Sequence, residues 1–180
     1  MCIRDSPYLV REYRLIGYEN RLLAREDFSN DKVDAGDIGA GHTVTALYEI
    51  VLADSAEQRL PSLRYQDSQA AAPTRVVNEQ ELAYIKLRYK RPGQGASIEL
   101  ARAVKRSDAL PSMAQGSDDL RFAASVAGFG QILRGGIHTG NWGYADALEL
   151  ARQARGPDHR GYRSEFVHLV ELARSLASGS

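Results

Sequence analysis

The densest set of residues able to do chemistry lies between positions 27 and 42. Asp27, Asp31, Asp34 and Asp37 supply carboxylates and His42 an imidazole. Carboxylates so closely spaced could hold Ca²⁺, but EF-hand ligand spacing is absent, and a solvated acidic loop is the simpler reading. Within the stretch, Gly36-Asp-Ile-Gly-Ala-Gly41-His42-Thr43 nearly fits a phosphate-binding P-loop, with His42 at the lysine position. Such a loop needs a strand before it and a helix after it, so that backbone N–H groups and the helix dipole face the phosphates. Here polar residues precede it and a strand-like alternation comes after it. A glycine-rich turn into a strand accounts for the pattern.

Elsewhere the chemistry thins out. The histidines are His42, His138, His159 and His168, and none has a second ligand at metal-binding spacing such as His-Glu-x-x-His. Glu165 and His168 are one helical turn apart, which suits a solvated face. His138 and Trp142 fall in a glycine-rich link where packing or capping is the simpler role. No Gly-x-Ser-x-Gly nucleophile turn occurs, and no pair of acids stands out. The sequence therefore nominates no catalytic, cofactor or metal residue. Asp34, Asp37 and His42 remain as a candidate binding loop. Two alternative functions hang on the 31–42 segment: a protein- or glycan-binding module, or a nucleotide- or metal-dependent hydrolase.

The elements that would position these residues divide into strands, then helices. Val10–Glu19 reads as a strand with apolar residues on both faces, hence covered on both sides. In Thr43–Leu52, Val44, Ala46, Tyr48, Ile50 and Leu52 share one face at period two. Leu82–Lys90 and Ser97–Val104 form a hairpin about Arg91-Pro-Gly-Gln-Gly95. Tyr13, Tyr18, Tyr48, Tyr84 and Tyr89 are expected to pack in the core with hydroxyls at the rim. Between the second and third strands, residues 53–80 read as a flexible excursion, with a short ordered piece at Leu63–Gln66. So long a loop implies a larger sheet system or a dispensable insertion.

After Ser107 the character changes. Ser117 followed by Asp118 and Asp119 is a helix start running to Arg134, ended by Gly135-Gly136. Gly128 and Gly130 lower helix propensity and suggest a neighbour's close approach. Tyr144–Arg155 is a second helix. Asp158 is positioned to cap a third, from about His159 to Ala177. The fold class is α+β: an antiparallel partial β-sandwich of about four strands over residues 7–108, a linker at 109–117, and a three-helix unit over 118–177.

Composition sets the outer bounds. Lys+Arg and Asp+Glu are both 23, giving zero formal net charge, so no basic excess points to nucleic acid. No apolar run is long enough to span a bilayer. Met1–Ser6 differ in style from the rest of the chain and can be back-translated as ATG-TGT-ATA-AGA-GAC-AG plus one base, the end of a transposase-type adapter. They are set aside from fold reasoning, and with them Cys2, the one cysteine.

Two stretches carry a family resemblance. One is Glu12-Tyr-Arg-Leu-Ile-Gly-Tyr-Glu-Asn-Arg21, then Glu26-Asp-Phe28 and Asp34-Ala-Gly-Asp-Ile-Gly-Ala-Gly-His-Thr-Val-Thr-Ala-Leu-Tyr-Glu49. The other is Leu63-Arg-Tyr-Gln66 with Leu87-Arg-Tyr-Lys90. With Asp119–Leu133 and the last helix from Gly161, they resemble the region after the von Willebrand A domain in YfbK-type bacterial proteins, across nearly all of residues 7–177. The resemblance implies a non-catalytic accessory region of a cell-envelope protein, often with a lipoprotein-type N-terminus. Its partners would be the A domain and upstream strands of the same polypeptide, plus an unidentified protein. Mg²⁺ would bind only in the A domain, because no Asp-x-Ser-x-Ser occurs here. An incomplete sandwich of this kind would expose an apolar face and open strand edges.

Overall fold

The computed structural model describes residues 2–5, 9–18, 26–30, 32–33, 36–55 and 80–179, with 2–5, 26 and 29 given by backbone alone. Two compact units, Met1–Ala109 and Leu110–Ser180, make up the chain. The first holds β1 (Cys2–Asp5), β2 (Val10–Ile16), β3 (Leu47–Leu52), β4 (Glu81–Tyr89) and β5 (Ile98–Lys105). The second holds α1 (Asp118–Leu133), α2 (Tyr144–Gln153) and α3 (Tyr162–Ser178). The α+β class and the C-terminal helices are those expected from the sequence.

The strands form two small antiparallel sheets, β1-β4-β5 and β2-β3. The β4–β5 hairpin turns where Arg91-Pro-Gly-Gln-Gly95 demands, pairing Tyr89 with Ile98 and Leu87 with Leu100. β1 falls in the segment that sequence reasoning sets aside, yet it pairs as a strand: Ile3 lies opposite Ile85 and Asp5 opposite Ala83. β2 is shorter than its sequence pattern. It stops at Ile16 because Gly17 and Tyr18 take positive φ, 77° and 59°, and leave the extended region. The register then explains why β3 is short as well. Ile16 pairs with Leu47, and among the described residues no strand lies opposite the segment 43–46.

Polar contacts tie the sheet unit together at its ends. Arg106 pairs with Asp54, joining the turn after β3 to the end of β5. That guanidinium's hydrogen bond holds the Asp54 carboxyl below the usual carboxylate range. Arg88 on β4 donates to the Phe28 carbonyl at 2.7 Å and lies 5.9 Å over the Phe28 ring. Among the described residues, Val10, Val51 and Leu82 are the buried apolar ones of this unit.

The helical unit is built on a close approach. A Cβ at Gly128 would stand 1.7 Å from Cζ3 of Trp142, so the indole occupies the space a side chain would take. One turn earlier, buried Ser125 Oγ donates to the Ala147 carbonyl at 2.7 Å, joining α1 to α2. Around this contact Phe129, Ala147, Leu148 and Val170 form the core. Phe166 of α3 meets Phe122 and Phe129 edge-on at 5.3 and 5.6 Å. Ser117 caps α1 by accepting from Leu120 N–H at 3.2 Å.

α3 begins at Tyr162, later than its pattern suggested, because residues 157–161 form a turn ending in Gly161 at φ 76°. Asp158 still caps it, accepting from Ser164 N–H at 2.7 Å. Desolvation pushes the Asp158 carboxyl up, but donors from Ser164, Arg163 and Gly161 outweigh it, and the pKa falls below the ordinary value. α2 ends at Gln153, two residues before Arg155.

These contacts lead to two expectations for stability. Gly128→Ala should destabilise the protein by about 1–3 kcal/mol in chemical denaturation, because the methyl group overpacks against Trp142. Gly130→Ala, with nothing within 4 Å of its Cβ, should be neutral or stabilise by up to ~1 kcal/mol. For Asp158, a depressed folded pKa means the cap contributes fully above about pH 4 and is lost as pH falls through the folded value. The wild-type melting temperature should therefore drop further on acidification to about pH 3 than that of Asp158→Ala.

Candidate functional site

Of the candidate loop residues, Asp37 and His42 are exposed in an irregular stretch, whereas Asp31 and Asp34 lie outside the described residues. His42 N–H donates to the Gly39 carbonyl at 3.1 Å, closing a turn, and the His42 ring lies over Gly39. The chain then runs without helix into β3. No helix begins at Thr43, so the backbone N–H groups are not stacked toward a phosphate. Among the described residues no group of three or more His, Cys, Asp or Glu could hold a metal ion. Of the excursion read at 53–80, residues 56–79, with Leu63–Gln66, lie outside the described residues.

A recess of about 580 Å³ in the helical unit is lined by Ser117, Asp118, Asp119, Asp158, Arg163 and neighbouring residues. Of its charged groups, Arg163 pairs with Asp119 and lies 4.8 Å over the Phe122 ring, Asp118 pairs with Arg121, and Asp158 caps α3, while Arg160 also lines the recess. The paired groups hold helix ends in place. His168 lies 3.4 Å from Glu171, on the exposed side of α3.

The faces of the sheets are the more informative surface. In an antiparallel pair, residues opposite one another project to the same side. The register of β4 with β5 therefore puts Ala83, Ile85, Leu87 and Tyr89 beside Val104, Leu100 and Ile98, with Arg102 the single charge. The reverse side carries Lys86, Arg88 and Glu99, with a 2.6 Å ion pair between Lys86 and Glu99. The apolar side should be the buried one, yet Leu87 is 42% and Leu100 53% exposed.

In the β2–β3 sheet Tyr13 and Leu15 stand beside Ile50 and Tyr48, and the opposite side carries Ile16, Leu47 and the buried Val51 together with Arg14 and Glu49 in a 2.6 Å ion pair. Tyr13 is 53% exposed, so β2 is not covered on both sides as its composition suggested. The expectation that the strand tyrosines fill the core is likewise corrected. Tyr13, Tyr18, Tyr84 and Tyr89 are exposed, with Tyr84 on the opposite side of the hairpin from Tyr89, and Tyr48 is half-buried. Sequence reasoning placed the right side chains on the right strands and missed that they form a surface. The alternation at Ala83, Ile85, Leu87 and Tyr89 is the signal that could have found it.

No described helix is long and apolar enough to cross a membrane. The family described as "Uncharacterized protein YfbK, C-terminal" matches residues 3–176. "Uncharacterized protein YfbK" of Escherichia coli (strain K12) is 42% identical over 171 residues, which is 95% of this chain. The match takes in 28% of that protein, so the chain spans under a third of its curated relative's length. No solved structure matches.

The loop makes a simple prediction. Asp37 and His42 are exposed and bear no packing load, so Asp37→Ala and His42→Ala should each leave stability within about 0.5 kcal/mol by denaturant titration.

Proposed function

The chain belongs to the YfbK C-terminal family, and on that premise we propose that it is a non-catalytic accessory region which braces a longer polypeptide. In this reading its sheets are completed by strands or a domain supplied from the rest of the protein. The observation that carries the reading is the β4–β5 hairpin, whose apolar side leaves Leu87 and Leu100 exposed while the reverse side carries the Lys86–Glu99 ion pair. A sheet that buries the wrong side costs stability, because apolar surface left in water forfeits about 25 cal/mol per Å². Such a face is retained where something else covers it.

The share of the relative outside the match supports the same reading, since most of that protein's length is available to provide the covering layer. The distribution of polar residues fits as well. The paired charges sit at helix ends, strand ends and sheet faces, where they fix geometry. By the family resemblance, the remainder is a von Willebrand A domain with upstream strands at the cell envelope. Any Mg²⁺ would belong to that domain, and the protein–protein contacts of the whole would be made through it.

The test is complementation. The 180-residue chain should bind a hydrophobic dye such as anilinonaphthalene sulfonate, and co-expression with the N-terminal remainder of a full-length family member should give a complex that suppresses the signal. A Leu87→Lys/Leu100→Lys variant should lose the complex while its melting temperature stays within a few degrees, because both side chains are half exposed already. No association with the remainder, or association indifferent to the double substitution, would sink the proposal.

A further inference from the structure

The outer edge of β4 is only partly filled. In the order β1-β4-β5, β4 is the central strand, and β5 pairs with it from Glu81 to Tyr89. On the other edge β1 pairs with Ala83 to Lys86 alone. Among the described residues no strand lies opposite Leu87, Arg88 and Tyr89 on that edge.

Exposure follows the pairing. Ala83, Ile85, Leu87 and Tyr89 share one side of β4. Ala83 and Ile85 have β1 residues opposite them and are half-buried. Leu87 and Tyr89 lie past the last β1 pair and are 42% and 36% exposed. The apolar side thus opens where β1 stops. An open edge of this kind is a site for further strand pairing.

The direction of β1 decides what fits there. β1 runs antiparallel to β4, and its N-terminal residue, Cys2, lies opposite Lys86. Each residue ahead of Cys2 in a longer polypeptide would stand one residue further along β4. The first would face Leu87, the second Arg88 and the third Tyr89. A strand from a second copy would have to fit end to end with β1 in this short gap. Residues joined covalently to β1 arrive there at high effective concentration. The family match begins at residue 3, within β1, and most of the curated relative's length lies outside the match. By the family's C-terminal description, that remainder comes before it.

On the accessory-region reading, on which this rests, we propose that in full-length family members the polypeptide entering this unit continues β1 as a longer strand along β4 to Tyr89. The first and third residues ahead of Cys2 join the apolar side, beside Leu87 and Tyr89. The second lies with Arg88 on the reverse side.

Cysteine cross-linking in a full-length family member stripped of its own cysteines tests the register. One cysteine is fixed at the position of Tyr89, and a second is moved through the residues ahead of the position of Cys2. Directly opposite residues stand about 4.5–5.5 Å apart at Cα, within disulfide reach, whereas diagonal neighbours are ~7–8 Å apart. Disulfide yield should peak at the third residue and fall several-fold two residues to either side. Moving the fixed cysteine to the position of Leu87 should move the peak to the first residue. A fixed cysteine at the position of Glu81, beyond the other end of β1, should give no peak. A flat profile, or a peak that does not move with the fixed cysteine, would overturn the inference. If the remainder associates with this chain and Leu87→Lys/Leu100→Lys breaks the association, yet the scan is flat, the accessory reading stands and this strand does not. If the remainder does not associate at all, both fail.

Discussion

Every sheet that packs on one side must have a second layer to pack against, and this constraint governs the N-terminal half of the protein. Two short sheets are joined by the Arg106–Asp54 pair and by Arg88 reaching the Phe28 carbonyl. Ion pairs cross the strands at Arg14–Glu49 and Lys86–Glu99. Around Leu87, Tyr89, Ile98 and Leu100, on the other side of the β4–β5 hairpin, removing water would give the larger free-energy gain. Among the described residues only Val10, Val51 and Leu82 reach real burial in this unit. The pattern of residues is that of an inner sandwich face, and the exposure is that of an outer one.

The helical half solves its packing by a different device. Gly128 gives up a side chain so that the Trp142 ring can lie against α1, and Ser125 replaces a hydrophobic group with a hydrogen bond to the Ala147 carbonyl. A buried hydroxyl is tolerated because it is satisfied, and it fixes the height of α2 relative to α1 in a way an alanine could not. The crossed phenylalanines then seat α3. Arg163 holds the far end by contacting Asp119, the Ala154 carbonyl and the face of Phe122 together. The charged recess at that end is thus a by-product of joining three helix termini.

The two units have in common an excess of apolar surface over what each can bury alone. In the sheets it shows at Tyr13, Leu87 and Leu100, and in the helices at Leu169, Leu172 and Leu176 of α3. The family is described by its C-terminal position, and most of the curated relative's length lies outside the match.

The amino-acid sequence alone determined the order and type of the elements. Local rules act within a few residues, and they were enough to place the β4–β5 hairpin, the Ser117 cap and the Asp158 cap; they offered Gly128 and Gly130 alike for a close approach, which the structure shows at Gly128 and not at Gly130. It also determined which side chains share a face, since alternation is a property of the strand itself. Tertiary structure alone decided strand length and exposure. β2 ends where Gly17 and Tyr18 turn, and β3 can then be no longer than its partner allows. Whether Tyr13, Leu87 or Leu100 is inside or outside depends on what lies across from it, and that is a long-range fact no periodicity encodes. The same holds for Ser125: only the carbonyl of Ala147, 22 residues away, gives the hydroxyl a reason to be there.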